Sequence, residues 1–207
     1  MSEPLHVLVI PLWYPRSEQD VDGIFFQNQA QALQRKGIKT AILAPHVPLS
    51  AERNSKHPDR SLRFCPIPAK RFGHLRMAQH VFLPRFPFID IDRIRWVRAG
   101  LKAFKHYIRE NGLPDLIHAH CMNYAGILAQ KISEKYGIPY VLTEHSSTIT
   151  RGLIRHHQWQ PMEKAAAPAS ARLAVSRHFA HVLQHKYGCE WQYLPNIPGG
   201  IFKQTFE

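Results

Sequence analysis

The stretch DLIHAHCMNYAGILAQKISEKYGIPYVLTEH, residues 115–145, decides the fold. Its two ends, DLIHAH (115–120) and PYVLTEH (139–145), are short apolar runs of strand length. Between them, AGILAQKISEKYG (125–137) carries helical spacing and stops on Gly137, where a residue free to adopt positive φ ends a helix well. Strand, helix and strand in so short a span make one unit of a parallel sheet covered by helices.

The same alternation extends outward in both directions. On the amino-terminal side, LHVLVI (5–10) and TAILAP (40–45) read as strands, and LRFCPI (62–67) as a third. Within GIFFQNQAQALQRKG (23–37), Phe26, Ala30, Leu33 and Gly37 fall at helical spacing. From Ile94 to Arg109 the residues Ile94, Val97, Leu101, Phe104 and Ile108 form an apolar stripe. Arg95, Arg98, Lys102, Lys105 and Arg109 form a second, cationic stripe offset by one residue. A basic and aromatic segment, AKRFGHLRMAQHVFLPRFPF (69–88), precedes that helix without a clear period. On the carboxyl side, ARLAVS (171–176) is a strand and Ser176 an N-cap for the helix RHFAHVLQHKYG (177–188), with EWQYLPN (190–196) closing the series. The expectation is an α/β chain with a Rossmann-like parallel sheet and helices on both faces.

Bulk composition narrows the class. The 207 residues carry 27 Lys and Arg against 15 Asp and Glu, a formal net charge of +12, which favours anionic partners without choosing among them. No apolar run approaches the ~20 residues of a membrane-spanning helix. The start, MSEPLHVLVIPLW, reads as a first strand rather than a signal peptide. Cys65, Cys121 and Cys189 are scattered with no CxxC, which points to a reduced, cytoplasmic setting.

In an open parallel sheet, ligands bind beyond the carboxyl ends of the strands, where strand order reverses. The loop after the first strand, PLWYPRSEQDVDG (11–23), lacks the GxGxxG of a dinucleotide site, and the chain holds no GxxxxGK[ST]. It offers only Gly23, either a plain turn glycine or a point where backbone approaches a ligand. His120 ends one strand and His145 another. If the strand at 115–120 neighbours the first strand, then Gly23, His120 and His145 face one crevice. His118 shares a face with His120 and is best read as a packed core residue. HAHC (118–121) lacks further ligands at recognisable spacing, so no metal is expected. RHH (155–157) reads as an exposed basic loop. TEHSS (143–147) sets a hydroxyl beside an imidazole, but there is no GxSxG, and neighbours in sequence do not easily reach nucleophile–base geometry.

Taken in order, WYP…DGIFFQNQAQALQRKG, PDLIHAH, GIPYVLTEHSS, ARLAVS and YLPNIPGGIF resemble the N-terminal half of retaining family 4 glycosyltransferases of the GT-B fold. The resemblance covers essentially the whole chain and is weakest over residues 48–90. It implies two Rossmann-like domains around a cleft, with residues 1–195 as the acceptor-side domain. Residues 196–207 would begin the linker to a donor-binding domain absent here. It implies a nucleotide-sugar donor held mainly by that second domain, a glycan or lipid-linked acceptor, and no cofactor. By this likeness His145 lies beside the transferred sugar as the catalytic candidate, and Gly23 belongs to the loop that approaches donor phosphate and acceptor. Many members carry two adjacent glycines there, where this chain has Asp22 before Gly23. Ser176 and Asn196 match substrate-side positions, although capping and turn roles suffice for both. Many members act on envelope acceptors at the cytoplasmic membrane face, so the basic helix and an anionic membrane surface form a second expectation. The implied function is sugar transfer with retention, in envelope polysaccharide biosynthesis, by the full-length enzyme, with this part of it inactive alone. The alternative is a non-catalytic anion-binding α/β module, though no recognised nucleic-acid motif supports nucleic acid as its partner.

Overall fold

The computed structural model describes residues 4–15, 23–45 and 91–197. Six parallel strands form one sheet in the order β2-β1-β3-β4-β5-β6: β1 (His6–Pro11), β2 (Lys39–Ile42), β3 (Leu116–His120), β4 (Tyr140–Glu144), β5 (Ala171–Ala174) and β6 (Gln192–Tyr193). Five helices connect them: α1 (Ile24–Arg35), α2 (Ile91–Asn111), α3 (Ile127–Tyr136), α4 (His156–Ala166) and α5 (Arg177–Tyr187). The α/β, Rossmann-like architecture expected from the sequence is the one observed.

Strand register sorts the side chains into two layers, because successive residues of a strand point to opposite faces. Val9 pairs with His118 and Pro11 with His120, while His118 pairs with Val141 and His120 with Thr143. Val7 and Val9 therefore share a face with His118, His120 and Thr143, and α1 covers its β1–β2 end with Ala30. On the other face Leu8, Ile10, Ile117, Ala119, Tyr140 and Leu142 pack against residues of α2, α3, α4 and α5. Fully burying a side chain such as Leu8, Ile10, Ile117 or Leu142 contributes about 1.5–3 kcal/mol. The α2–α3 contact is close because Gly100 has no side chain: a Cβ there would stand 2.3 Å from Leu128 Cδ2.

Several boundaries differ from the sequence reading, for local reasons. The strand of 139–145 ends at Glu144, so His145 lies one residue beyond it. The helix expected from 125 begins at Ile127, after an irregular turn at Met122–Gly126 in which Tyr124 adopts φ of 61°, preceded by Cys121 with φ of 74°. The triplet at 155–157 is not a loop: exposed Arg155 caps α4, and His156 begins it. The last strand shrinks to two residues. The strand expected at 62–67 and the segment 69–88 lie outside the described residues.

Candidate active site

Strand order reverses between β1 and β3, since the chain leaves β1 for β2 on one side and returns to β3 on the other. The carboxyl ends of β1, β3 and β4 meet there, and beyond them lies a cavity of about 510 Å³. Its walls come from Trp13 after β1, Asn123 after β3, His145 to Ile149 after β4, and Gln158 and Met162 of α4.

His145 is held from two sides. Its Nε2 lies 2.9 Å from His120 Nδ1, a hydrogen bond between the imidazole that ends β3 and the one just beyond β4. Phe25 and Phe26 of α1 pack against its ring with centroids 4.9 and 5.1 Å away. Phe26 also packs on His120 at 4.7 Å, and Trp13 lies edge-on to Phe26 at 5.3 Å. This aromatic surround removes water and disfavours the imidazolium. Burial lowers His145 to about 3, and the neighbouring His118 adds to the effect. Burial, then His118 and His145, holds His120 well below the ordinary histidine range. His118 falls to about 4 by burial, and its Nε2 bonds Thr143 Oγ1 at 2.7 Å. All three rings are neutral near pH 7.

Glu144, beside His145 in sequence, points to the opposite face and is 1% exposed. Its Oε2 accepts the Met122 N–H at 2.7 Å, and its Oε1 accepts the His145 and Ser146 N–H groups at 3.0 and 2.8 Å. One carboxylate thereby ties the loop after β3 to the loop after β4. Burial pushes its pKa up, while the bonds from Met122, Ser146, His145 and the Cys121 thiol oppose that shift. At the turn it anchors stand Cys121 and Tyr124, the two non-glycine residues of positive φ among the described residues, conformations that cost on the order of 1–3 kcal/mol each and collect at functional sites. Sequence reading missed Glu144. The available signal was strand parity, which sends it into the core face with Leu142.

The five residues singled out from sequence fall into two groups. His120, His145 and Gly23 come together through Phe26, but only His145 of the five lines the cavity. Gly23 has φ +76°, and a Cβ there would stand 2.9 Å from Trp13 Cδ1, so the missing side chain makes room for the indole. Ser176 is exposed and accepts the Phe179 N–H at 3.1 Å, the capping bond its position suggested. Asn196 is exposed beyond β6. Among the described residues no group of three or more His, Cys, Asp or Glu is arranged to hold a metal ion. His145 and Asn123, which line the cavity, each bury a side-chain polar atom, Nδ1 and Oδ1, that has no partner among the described residues. Buried polar groups are rarely left so, and a ligand rich in hydroxyl groups would satisfy both.

Known proteins agree with this architecture. The chain is 27% identical over 200 residues to a proposed teichuronic acid biosynthesis glycosyltransferase, TuaC, of Bacillus subtilis (strain 168), covering 92% of this chain and 49% of that protein. It thus spans about half the length of this curated relative. Among solved structures, a sucrose-phosphate synthase from Thermosynechococcus elongatus superposes with a TM-score of 0.57 at 17% identity, covering 94% of this chain and 89% of that one. A UDP-glucosyltransferase from Polygonum tinctorium gives 0.56 at 12% identity, covering 100% and 55%. At such identities these two structures speak for the fold alone. The model of Glycosyltransferase Family 4 matches residues 23–202, most of the chain, and the chain belongs to that family.

Proposed function

We propose that residues 1–195 form the acceptor-side domain of a glycosyltransferase that moves a sugar from a nucleotide-sugar donor to a glycan or lipid-linked acceptor with retention. The observation that carries this reading is the neutral, aromatic-walled His145 beside a cavity at the sheet reversal, with His145 Nδ1 and Asn123 Oδ1 unmatched. A neutral imidazole can bond a sugar hydroxyl and respond to charge developing at the anomeric carbon, and it needs no metal to do so. Gly23, His120, Ser176 and Asn196 are the supporting substrate-side residues of this proposal, with Asn196 opening the linker (196–207) to a donor domain. The isolated chain would then be inactive. The name of the Bacillus relative favours an envelope polysaccharide as the product. The exposed basic row of α2 favours work at the inner face of the cell membrane, and no described helix is long and apolar enough to cross it.

The test is sugar transfer by the full-length protein, offered a panel of radiolabelled nucleotide-sugars and membranes from its source cells. Acceptor-dependent incorporation with one donor is the expected result. No incorporation with any donor, together with salt-sensitive binding to nucleic acid or anionic vesicles by this half alone, would favour the anion-binding module instead.

A further inference from the structure

Backbone N–H groups beyond the carboxyl ends of parallel strands are ready receivers of an anion, and successive N–H groups make a small anion-binding nest. In this chain such a nest is filled from within. Glu144 Oε1 accepts the successive N–H groups of His145 and Ser146 at 3.0 and 2.8 Å, and its Oε2 accepts that of Met122 at 2.7 Å. The Cys121 thiol donates to the same carboxylate, and burial, then the Glu144 charge, raises the thiol's pKa well above its ordinary range. All four of these groups donate to Glu144 and none accepts from it, the pattern of an ionised carboxylate. Two further N–H groups of the same loops are also taken. That of Cys121 donates to the Thr143 carbonyl at 2.8 Å, and that of Thr148 to Ser146 Oγ at 3.3 Å.

The cavity's side chains supply no positive charge in compensation. Among the described residues no lysine or arginine lines it, and His145 is neutral at pH 7 because burial lowers its pKa to about 3. The other polar side chains on the wall include the uncharged ones of Asn123, Ser146, Thr148 and Gln158, beside apolar Trp13, Ile149 and Met162. Described cations are displayed elsewhere, as in the exposed row of α2. An anionic group seated in the cavity would lose hydration, meet no cation and stand beside the Glu144 charge.

We propose that this cavity selects an uncharged sugar unit of the acceptor and that Glu144, by filling the N–H nest with the protein's own carboxylate, excludes acidic sugars. Assigning the sugar to an acceptor rests on the sugar-transfer reading above, whereas the charge preference rests on the cavity itself.

The experiment titrates the full-length protein, labelled with nitrogen-15 tryptophan, with methyl glucoside and with methyl glucuronide. The signal followed is the Trp13 indole N–H, assigned by its loss in Trp13→Phe. The two probes share one ring and differ by a carboxylate in place of a hydroxymethyl group. The glucoside should move the signal, and the glucuronide should bind roughly 10-fold or more weakly, as expected when one charged group is buried unpaired. Ser147 is exposed and lines the cavity, so Ser147→Lys adds a cation at its wall. In that variant glucuronide binding should recover roughly threefold or more, with glucoside binding unchanged. A wild-type protein that binds the glucuronide as well as the glucoside overturns the inference, as does a Trp13 signal that neither probe moves. Continued exclusion of the glucuronide by Ser147→Lys also overturns it, since shape and not charge would then be the cause. Absence of sugar transfer with any donor, while the glucoside alone still moves Trp13, would overturn the sugar-transfer reading and leave the charge preference standing.

Discussion

Glu144 carries three backbone hydrogen bonds on two oxygens, so its neutral amide counterpart cannot replace it. In Glu144→Gln the NH2 group must face at least one N–H donor, either that of Met122 or those of His145 and Ser146. Loss of a bond to a charged acceptor costs about 1.5–3 kcal/mol. The variant should therefore unfold at lower denaturant concentration and transfer sugar more slowly, both measurable in the full-length protein. The buried histidines give a second prediction, with a definite sign. His118 has a folded-state pKa near 4 against an ordinary value of 6.5, so the unfolded chain binds more protons between those values. Its contribution to stability is full above pH 6.5 and is lost as pH falls toward about 4. His145 and His120 act in the same direction. Glu144 opposes them, since its raised pKa makes the folded state take up a proton first. Stability should rise with pH from about 4.5 to 6.5. Replacing His118 with Phe should flatten that rise by about 1.4 kcal/mol per pH unit, as denaturant melts across the range would register. The sequence made His120 and His145 legible because both fall where strands meet a sheet edge. It did not make Glu144 or Trp13 legible, since their roles depend on which backbone N–H groups and which glycine the tertiary fold brings beside them.

At the scale of elements, α2 shows what periodicity reads well and what it misses. The cationic residues Arg95, Arg98, Lys102, Lys105 and Arg109 are all exposed, as their stripe implied. The buried face keeps Val97 and Phe104 of the expected apolar stripe and widens to Trp96, Ala99, Ala103 and Tyr107, while Ile94 remains 39% exposed. Small residues weigh little in a hydrophobic pattern, yet Gly100 is where Leu128 of α3 approaches, and that close packing selects the face. Helix α4 went unread for a related reason. It contains Pro161, and its buried residues Met162, Ala165 and Ala166 cluster at one end. Tertiary contacts complete it, with Arg172 of β5 donating to the carbonyls of Ala166, Ala167 and Ala169 at 2.9, 3.1 and 2.9 Å. The basic row makes its own prediction. If it meets an anionic membrane, changing Arg98, Lys102 and Lys105 together to Gln should weaken binding of the full-length protein to phosphatidylglycerol vesicles roughly 100-fold, at about 1 kcal/mol per cation. Unchanged vesicle partitioning would remove α2 from the membrane contact.

For the whole molecule, the alternation of strands and helices is enough to specify a parallel sheet, and the neighbouring of the first strand with the strand at 115–120 enters the sequence reading only as a condition of a Rossmann-like order. The observed order puts β1 beside β3 and gathers the loops that wall the cavity. The substrate was less legible, because loop lengths and side-chain identities at a cavity are set by the ligand and follow no period. On the proposed reading, donor recognition belongs to a second domain. The most direct measurement compares sugar transfer by the full-length protein with that of its His145→Ala variant, with thermal melts recorded alongside. A loss of orders of magnitude with an unchanged melting temperature is the predicted result. Transfer near the wild-type rate by a folded His145→Ala protein would contradict it.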